Sequence, residues 1–190
     1  MGMSRKTCLL VCCFLLLFVF KSIGQAPNSS CKVEIYLLKH SGKPSSENAS
    51  DYFLPSKKDI SDTPLIHNNE ILEYEITGHP TAHALSTELS DTVYSYRFVT
   101  GIDVLKRLQE SNVNVSLQGL PFPVVVNGQP VYGAYFWTSL SSFSCSWMTS
   151  YITQKGFSIE SARFSASKPD PRQNIWLINC LKRTNRLRLK

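Results

Sequence analysis

A chain of 190 residues with a formal net charge of +6 looks at first like a nucleic-acid binder. The placement of the charge excludes that class. Arg5, Lys6 and Lys21 flank one apolar run at the start, and Lys182, Arg183, Arg186, Arg188 and Lys190 crowd the last nine residues. The body between them is near −2 and has no basic surface for a phosphate backbone.

Residues 1–24 read as a cleavable export signal. A basic start precedes thirteen unbroken apolar residues, Cys8 to Phe20, and Ser22-Ile23-Gly24 supplies a small-residue exit. A membrane span needs roughly 20 apolar residues, so no transmembrane anchor is expected in the mature chain. Lipidation is a minor alternative, because Cys31 lies ten residues beyond Lys21. Cleavage leaves residues 25–190 as one globular domain with a charge of +3 and three cysteines, Cys31, Cys145 and Cys180. In an oxidising compartment one pair among these three can bridge, and three buried thiols are the alternative.

The elements follow in chain order. Lys32 to Lys39 (KVEIYLLK) reads as a strand covered on both faces. Residues 41–64, rich in Ser, Lys, Asp and Pro, read as a long loop or mobile insertion. Leu72, Tyr74 and Ile76 alternate with Glu73, Glu75 and Thr77, which predicts a strand with one wet face. A short helix is expected over 81–89, a strand over 93–99 and a helix over 101–111 with Ile102, Leu105 and Leu108 in its stripe. Phe122 to Val126, Asn127-Gly128 and Val131 to Phe136 form the strongest local signal, a hairpin whose turn tolerates positive φ at both central positions. Phe157, Ile159 and Ala162 to Phe164 suggest a further strand. Asp170-Pro171 predicts the start of a helix over 171–184, with Ile175, Ile178 and Leu181 in its stripe and Trp176 and Cys180 beside them. The basic tail continues that helix end.

The run Pro121 to Ser142 (PFPVVVNGQPVYGAYFWTSLSS), with Val33 to Lys39 and the closing Asp170-Pro171-Arg172, resembles an uncharacterised family of small exported bacterial proteins. The order helix, strand, turn, strand is more distantly similar to a periplasmic domain of the SecDF export machinery. The resemblance implies an α+β domain, with a mostly antiparallel sheet and helices on one face, ferredoxin-like or SecDF-periplasmic-domain-like. It carries no activity over.

Several constellations bear on chemistry. Cys145 is a candidate thiol nucleophile, with His40, His67, His79 and His83 as possible bases, but its flanks match no cysteine-hydrolase signature. The serines of 139–146 lack the glycines of a nucleophile elbow. His79 and His83 stand at metal-ligand spacing for a helix, without a third ligand, so no metal or other cofactor is expected. Glu73 and Glu75 read as a solvated face rather than an acid–base pair. Asn28, Asn48 and Asn114 are formal glycosylation acceptors only in a eukaryotic pathway. Tyr135 and Trp137, with Ser139, Ser141 and Ser142 at the strand exit, form the candidate binding surface, unless the sheet is buried on both faces. The reading is a secreted or periplasmic, non-enzymatic domain that binds a protein or cell-envelope partner. A thiol-dependent hydrolase or redox enzyme using Cys145 and a purely structural accessory domain are the alternatives.

Overall fold

The Asn127-Gly128 turn organises the sheet. Both residues have positive φ, 51° and 75°, the twist that joins strands β4 (Leu120–Val126) and β5 (Gln129–Phe136) as a tight hairpin. Asn127 also fastens the start of the fold. Its Oδ1 accepts from the Lys32 amide and its own amide donates to the Lys32 carbonyl, which brings β1 (Val33–Ile35) antiparallel onto β4. The computed structural model describes residues 31–39, 53–80, 92–110, 119–138, 147–160 and 170–190. All of them belong to one compact unit, Cys31–Lys190. The export segment, the 81–89 helix and residues 162–164 lie outside the described residues.

The remaining strands are β2 (Ile71–Pro80), β3 (Thr92–Thr100), β6 (Thr149–Thr153), β7 (Gly156–Glu160) and β8 (Leu187–Leu189). One sheet of eight results, in the order β1-β4-β5-β6-β7-β3-β2-β8. The β5–β6 and β2–β8 pairs are parallel and the other five antiparallel, so the architecture is mixed α+β and mostly strand. The sheet curls. Phe122 of β4 and Phe157 of β7 are three strand positions apart, about 14 Å on a flat sheet, yet their ring centroids are 6.0 Å apart. The enclosed face is filled by Tyr74, Tyr96, Phe98, Phe122, Tyr132, Phe136 and Phe157, in ring contacts such as Tyr74–Phe98 at 4.6 Å and Phe122–Phe136 at 4.2 Å.

Two helices close the core. α1 (Ile102–Glu110) buries Val104, Leu105 and Leu108 and exposes Ile102, so its stripe is shifted from the Ile102, Leu105, Leu108 expectation by the opening residue. α2 (Ile175–Arg183) begins later than expected. Asp170 and Pro171 open only a 3-10 turn, Pro171–Gln173, and Asn174 caps the α-helix by accepting from the Trp176 and Leu177 amides. The buried seam is Leu177, Cys180 and Leu181, and Ile175 stands in solvent.

Cys180 explains this rotation, because it is bonded to Cys31 at the head of β1, 149 residues away, with 5.4 Å between Cα atoms. That pair settles which two of the three cysteines approach, and Cys145 lies outside the described residues.

The basic tail does not prolong the helix. Asn185 at φ 55° ends it, its amide reaching the Lys182 carbonyl and the Arg186 amide the Leu181 carbonyl, both bonds of a Schellman cap. The chain then turns into β8 beside β2. Leu72, expected to face the core, is exposed, because the register shift between Ile71 and Glu73 is a bulge that leaves Ile71 and Tyr74 buried.

Part of the expected loop is packed. Phe53 and Ile60 are buried, as is Ile66 just beyond that stretch, and bridges from Leu38 to Ile60 and from Ile35 to Ile66 run the chain along the free side of β1. Phe53 itself lies on Gly133, whose amide donates to the Phe53 carbonyl at 2.7 Å. A Cβ at 133 would fall 2.3 Å from the Phe53 ring. Gly133→Ala is therefore expected to cost about 1–3 kcal/mol, measured by urea unfolding. In a Phe53→Ala background that added cost should disappear, and its persistence would refute the contact as its cause.

Candidate functional site

The aromatic strand β5 divides as alternation requires. Tyr132, Ala134 and Phe136 enter the main core, and Gly133 and Tyr135 face the other way. That second face is covered. Tyr135 is only 9% exposed, with the Phe53 ring at 5.4 Å and the Trp147 ring at 5.7 Å, both edge-on. Trp137 is half-buried and lies against Gly119. At Tyr135 the strand is thus buried on both faces, because a segment eighty residues upstream folds over it. Ser139, Ser141, Ser142 and Cys145 lie outside the described residues.

A buried polar cluster sits inside the curl. Arg172, 7% exposed, comes from the 3-10 turn and directs its Nε and Nη2 to the Asp170 carboxylate at 2.8–3.1 Å. Its Nη1 donates to the Ile159 carbonyl, and its guanidinium lies 4.1 Å from the centroid of the Tyr96 ring. The Tyr74 hydroxyl donates to the Arg172 carbonyl, and Gln173 Nε2 donates to the Tyr96 hydroxyl. In the sequence Asp170-Pro171-Arg172 reads as a helix start and as part of the family resemblance. Its arginine instead ties the turn to β3 and β7, and its carbonyl ties it to β2.

The tyrosines of this cluster are poor proton donors near neutrality. Burial, first of all, holds Tyr74 well above its ordinary value, pushes Tyr96 up to about 12 and raises Tyr132 further. The Tyr132 hydroxyl lies beside that of Tyr74, close enough for each to shift the other, yet makes no well-formed hydrogen bond. A raised folded-state value stabilises the fold fully below the unfolded value of 10. That contribution is lost as pH climbs through the folded values. The chain is expected to hold its stability up to about pH 10 and then lose it steeply, with tyrosinate absorbance rising together with unfolding. Ionisation of all eight tyrosines before any loss of circular dichroism would contradict this.

The Glu73 and Glu75 face of β2, expected to be solvated, is instead a ladder of ion pairs and is buried at Glu75. Glu73 accepts from Arg188 at 2.9 Å, and Glu75, only 8% exposed, is held between Lys190 and Arg97. Arg188 and Lys190, two of the tail cations that read as a solvated helix end, are thereby matched to these carboxylates. Arg186 is held by Asn68 Oδ1 and by the Asn68 and Ile71 carbonyls. The two histidines at metal spacing separate in kind: His79 belongs to strand β2, and His83 lies outside the described residues.

Among the described residues Leu54, Leu72, Ile102 and Leu189 are exposed singly, whereas two exposed apolar side chains stand side by side on one face of α2. Ile175 is 63% and Trp176 62% exposed, and Asn179, Lys182 and Arg183 are exposed beside them. At 100° per residue all five fall within an arc of roughly 120°, opposite the Leu177, Cys180, Leu181 seam. The sequence showed the apolar spacing but assigned Ile175 and Trp176 to the inner side. Compared with known proteins, the chain matches no family model, no curated protein and no solved structure. Among the described residues no helix is long and apolar enough to cross a membrane.

Proposed function

We propose that the chain is an exported, non-enzymatic domain that binds a protein or cell-envelope partner through the outer face of α2. The observation that carries this is the adjacent exposure of Ile175 and Trp176 on a helix whose two ends are capped and whose Cys180 is bonded to Cys31. An apolar pair held on a rigid element costs solvation when free and loses little conformational freedom when bound, the profile of a contact hot spot. This moves the surface expected at Tyr135 and Trp137 to α2, because Tyr135 is already covered by Phe53 and Trp147.

Export to the periplasm or beyond is supported by the Cys31–Cys180 bond. The resemblance to small exported proteins, and the more distant SecDF-like or ferredoxin-like arrangement, belongs to the same proposal, and α1 precedes the β4–β5 hairpin in chain order as that reading requires. A photo-crosslinking residue placed at 176 in the exported protein tests the contact surface, with the exposed position 57 as control. A discrete protein or lipid adduct from position 176 alone is expected. Equal labelling from both positions would sink the reading.

A further inference from the structure

We propose that the α2 face docks on an anionic lipid surface, with Ile175 and Trp176 entering the boundary between headgroups and acyl chains and Lys182 and Arg183 meeting the lipid phosphates. The proposal rests on α2 being the contact surface and names what it contacts. Positions seven apart share a ridge of a helix, so Ile175 aligns with Lys182 and Trp176 with Arg183, each cation about 10 Å along the axis from its apolar neighbour. The pairing of a tryptophan and an aliphatic side chain with basic residues is the composition that settles at a membrane interface.

Charge favours the same occupant. No acidic residue occurs anywhere in 171–190, and α2 carries only cations among its charged groups. In the last turn Lys182 and Arg183 offset the negative end of the helix dipole, which by itself would repel an anionic surface. Size argues against a protein docked on this face alone. Two apolar side chains and two cations are far from the roughly 1,200–2,000 Å² that a stable protein–protein interface buries. An interfacial anchor needs no such area, because partitioning grows with each side chain inserted.

The test is co-sedimentation of the purified exported protein with vesicles of phosphatidylglycerol and phosphatidylethanolamine, against vesicles of phosphatidylcholine alone. Binding to the anionic vesicles, weakened by salt, is expected. Trp176→Ala should lower it about tenfold or more, from the apolar area lost. Lys182→Gln and Arg183→Gln should each lower it about fivefold. These positions are exposed, so unchanged melting curves will show that the variants fold. Equal binding by the wild type and Trp176→Ala, or no preference for anionic vesicles, overturns the proposal. A protein adduct from position 176 without vesicle binding overturns it too, while leaving α2 as the contact surface. Neither adduct nor binding removes both readings.

Discussion

Replacing Cys180 with alanine, in a Cys145→Ser background that prevents exchange, is expected to destabilise the folded chain by about 2–5 kcal/mol. The bond to Cys31 closes a loop of 149 residues, nearly the whole compact unit. In the chain-entropy account a loop this long contributes about 5 kcal/mol by narrowing the unfolded ensemble. Both sulfurs are buried, so the change also removes packing between the head of β1 and the seam of α2. Cys31→Ala should cost nearly as much, and the double variant little more than either, because all three lose the same bond. Urea unfolding in oxidising and in reducing buffer measures this. Reduction should bring the Cys145→Ser chain down to the level of its variants. Insensitivity to reductant would mean that the two cysteines are neighbours without a bond.

Arg172→Met is expected to cost about 3–5 kcal/mol, the usual consequence of removing one member of a buried ion pair. The loss has several parts. Asp170 would keep its bond from the 172 amide but lose the guanidinium fork, the Ile159 carbonyl would lose a donor, and the Tyr96 ring would lose the cation stacked on it. Arg172→Lys should recover only a fraction, since an ammonium can neither pair in fork geometry nor stack as a plane. Asp170→Asn is the informative partner. It retains an oxygen for the turn and removes the charge, so its cost should be smaller than that of Arg172→Met. Unfolding curves and the near-ultraviolet signal of the tyrosines report both. A loss below about 1 kcal/mol in Arg172→Met would show that the methionine packs as well as the pair it replaces.

The elements that were legible in the sequence are those whose causes are local. Asn127-Gly128 specifies its own turn through φ, and the β4 and β5 alternation then assigns faces without further information. α1 was readable from its stripe to within a residue. The features that were not legible depend on partners distant in the chain. Nothing near Tyr135 signals that Phe53 and Trp147 will cover it. Nothing near Cys180 says that Cys31, rather than Cys145, is its neighbour, although that bond fixes which side of α2 turns inward. The tail misled for another reason. Cations after an apolar helix stabilise its end, so Lys182 and Arg183 and the helix end at 184 were legible, but the turn at Asn185 sends the rest of the tail into a strand that nothing local signals. Arg188 and Lys190 then find Glu73 and Glu75 across 115 positions. The candidate site suffered most, because exposure is what remains after all non-local packing is complete.

The bond between Cys31 and Cys180 also sets how this molecule would carry a mechanical load. Tension applied between a tether ahead of Cys31 and the far end would cross from β1 to α2 through sulfur, bypassing everything between. Apart from the β2–β8 edge, the curled sheet and its aromatic interior would be shielded from it. Only residues 181–190 could be drawn out, by peeling β8 from β2 and unravelling the last turn of α2, which yields about 35 Å of slack. Under reducing conditions the same pull would reach the whole unit.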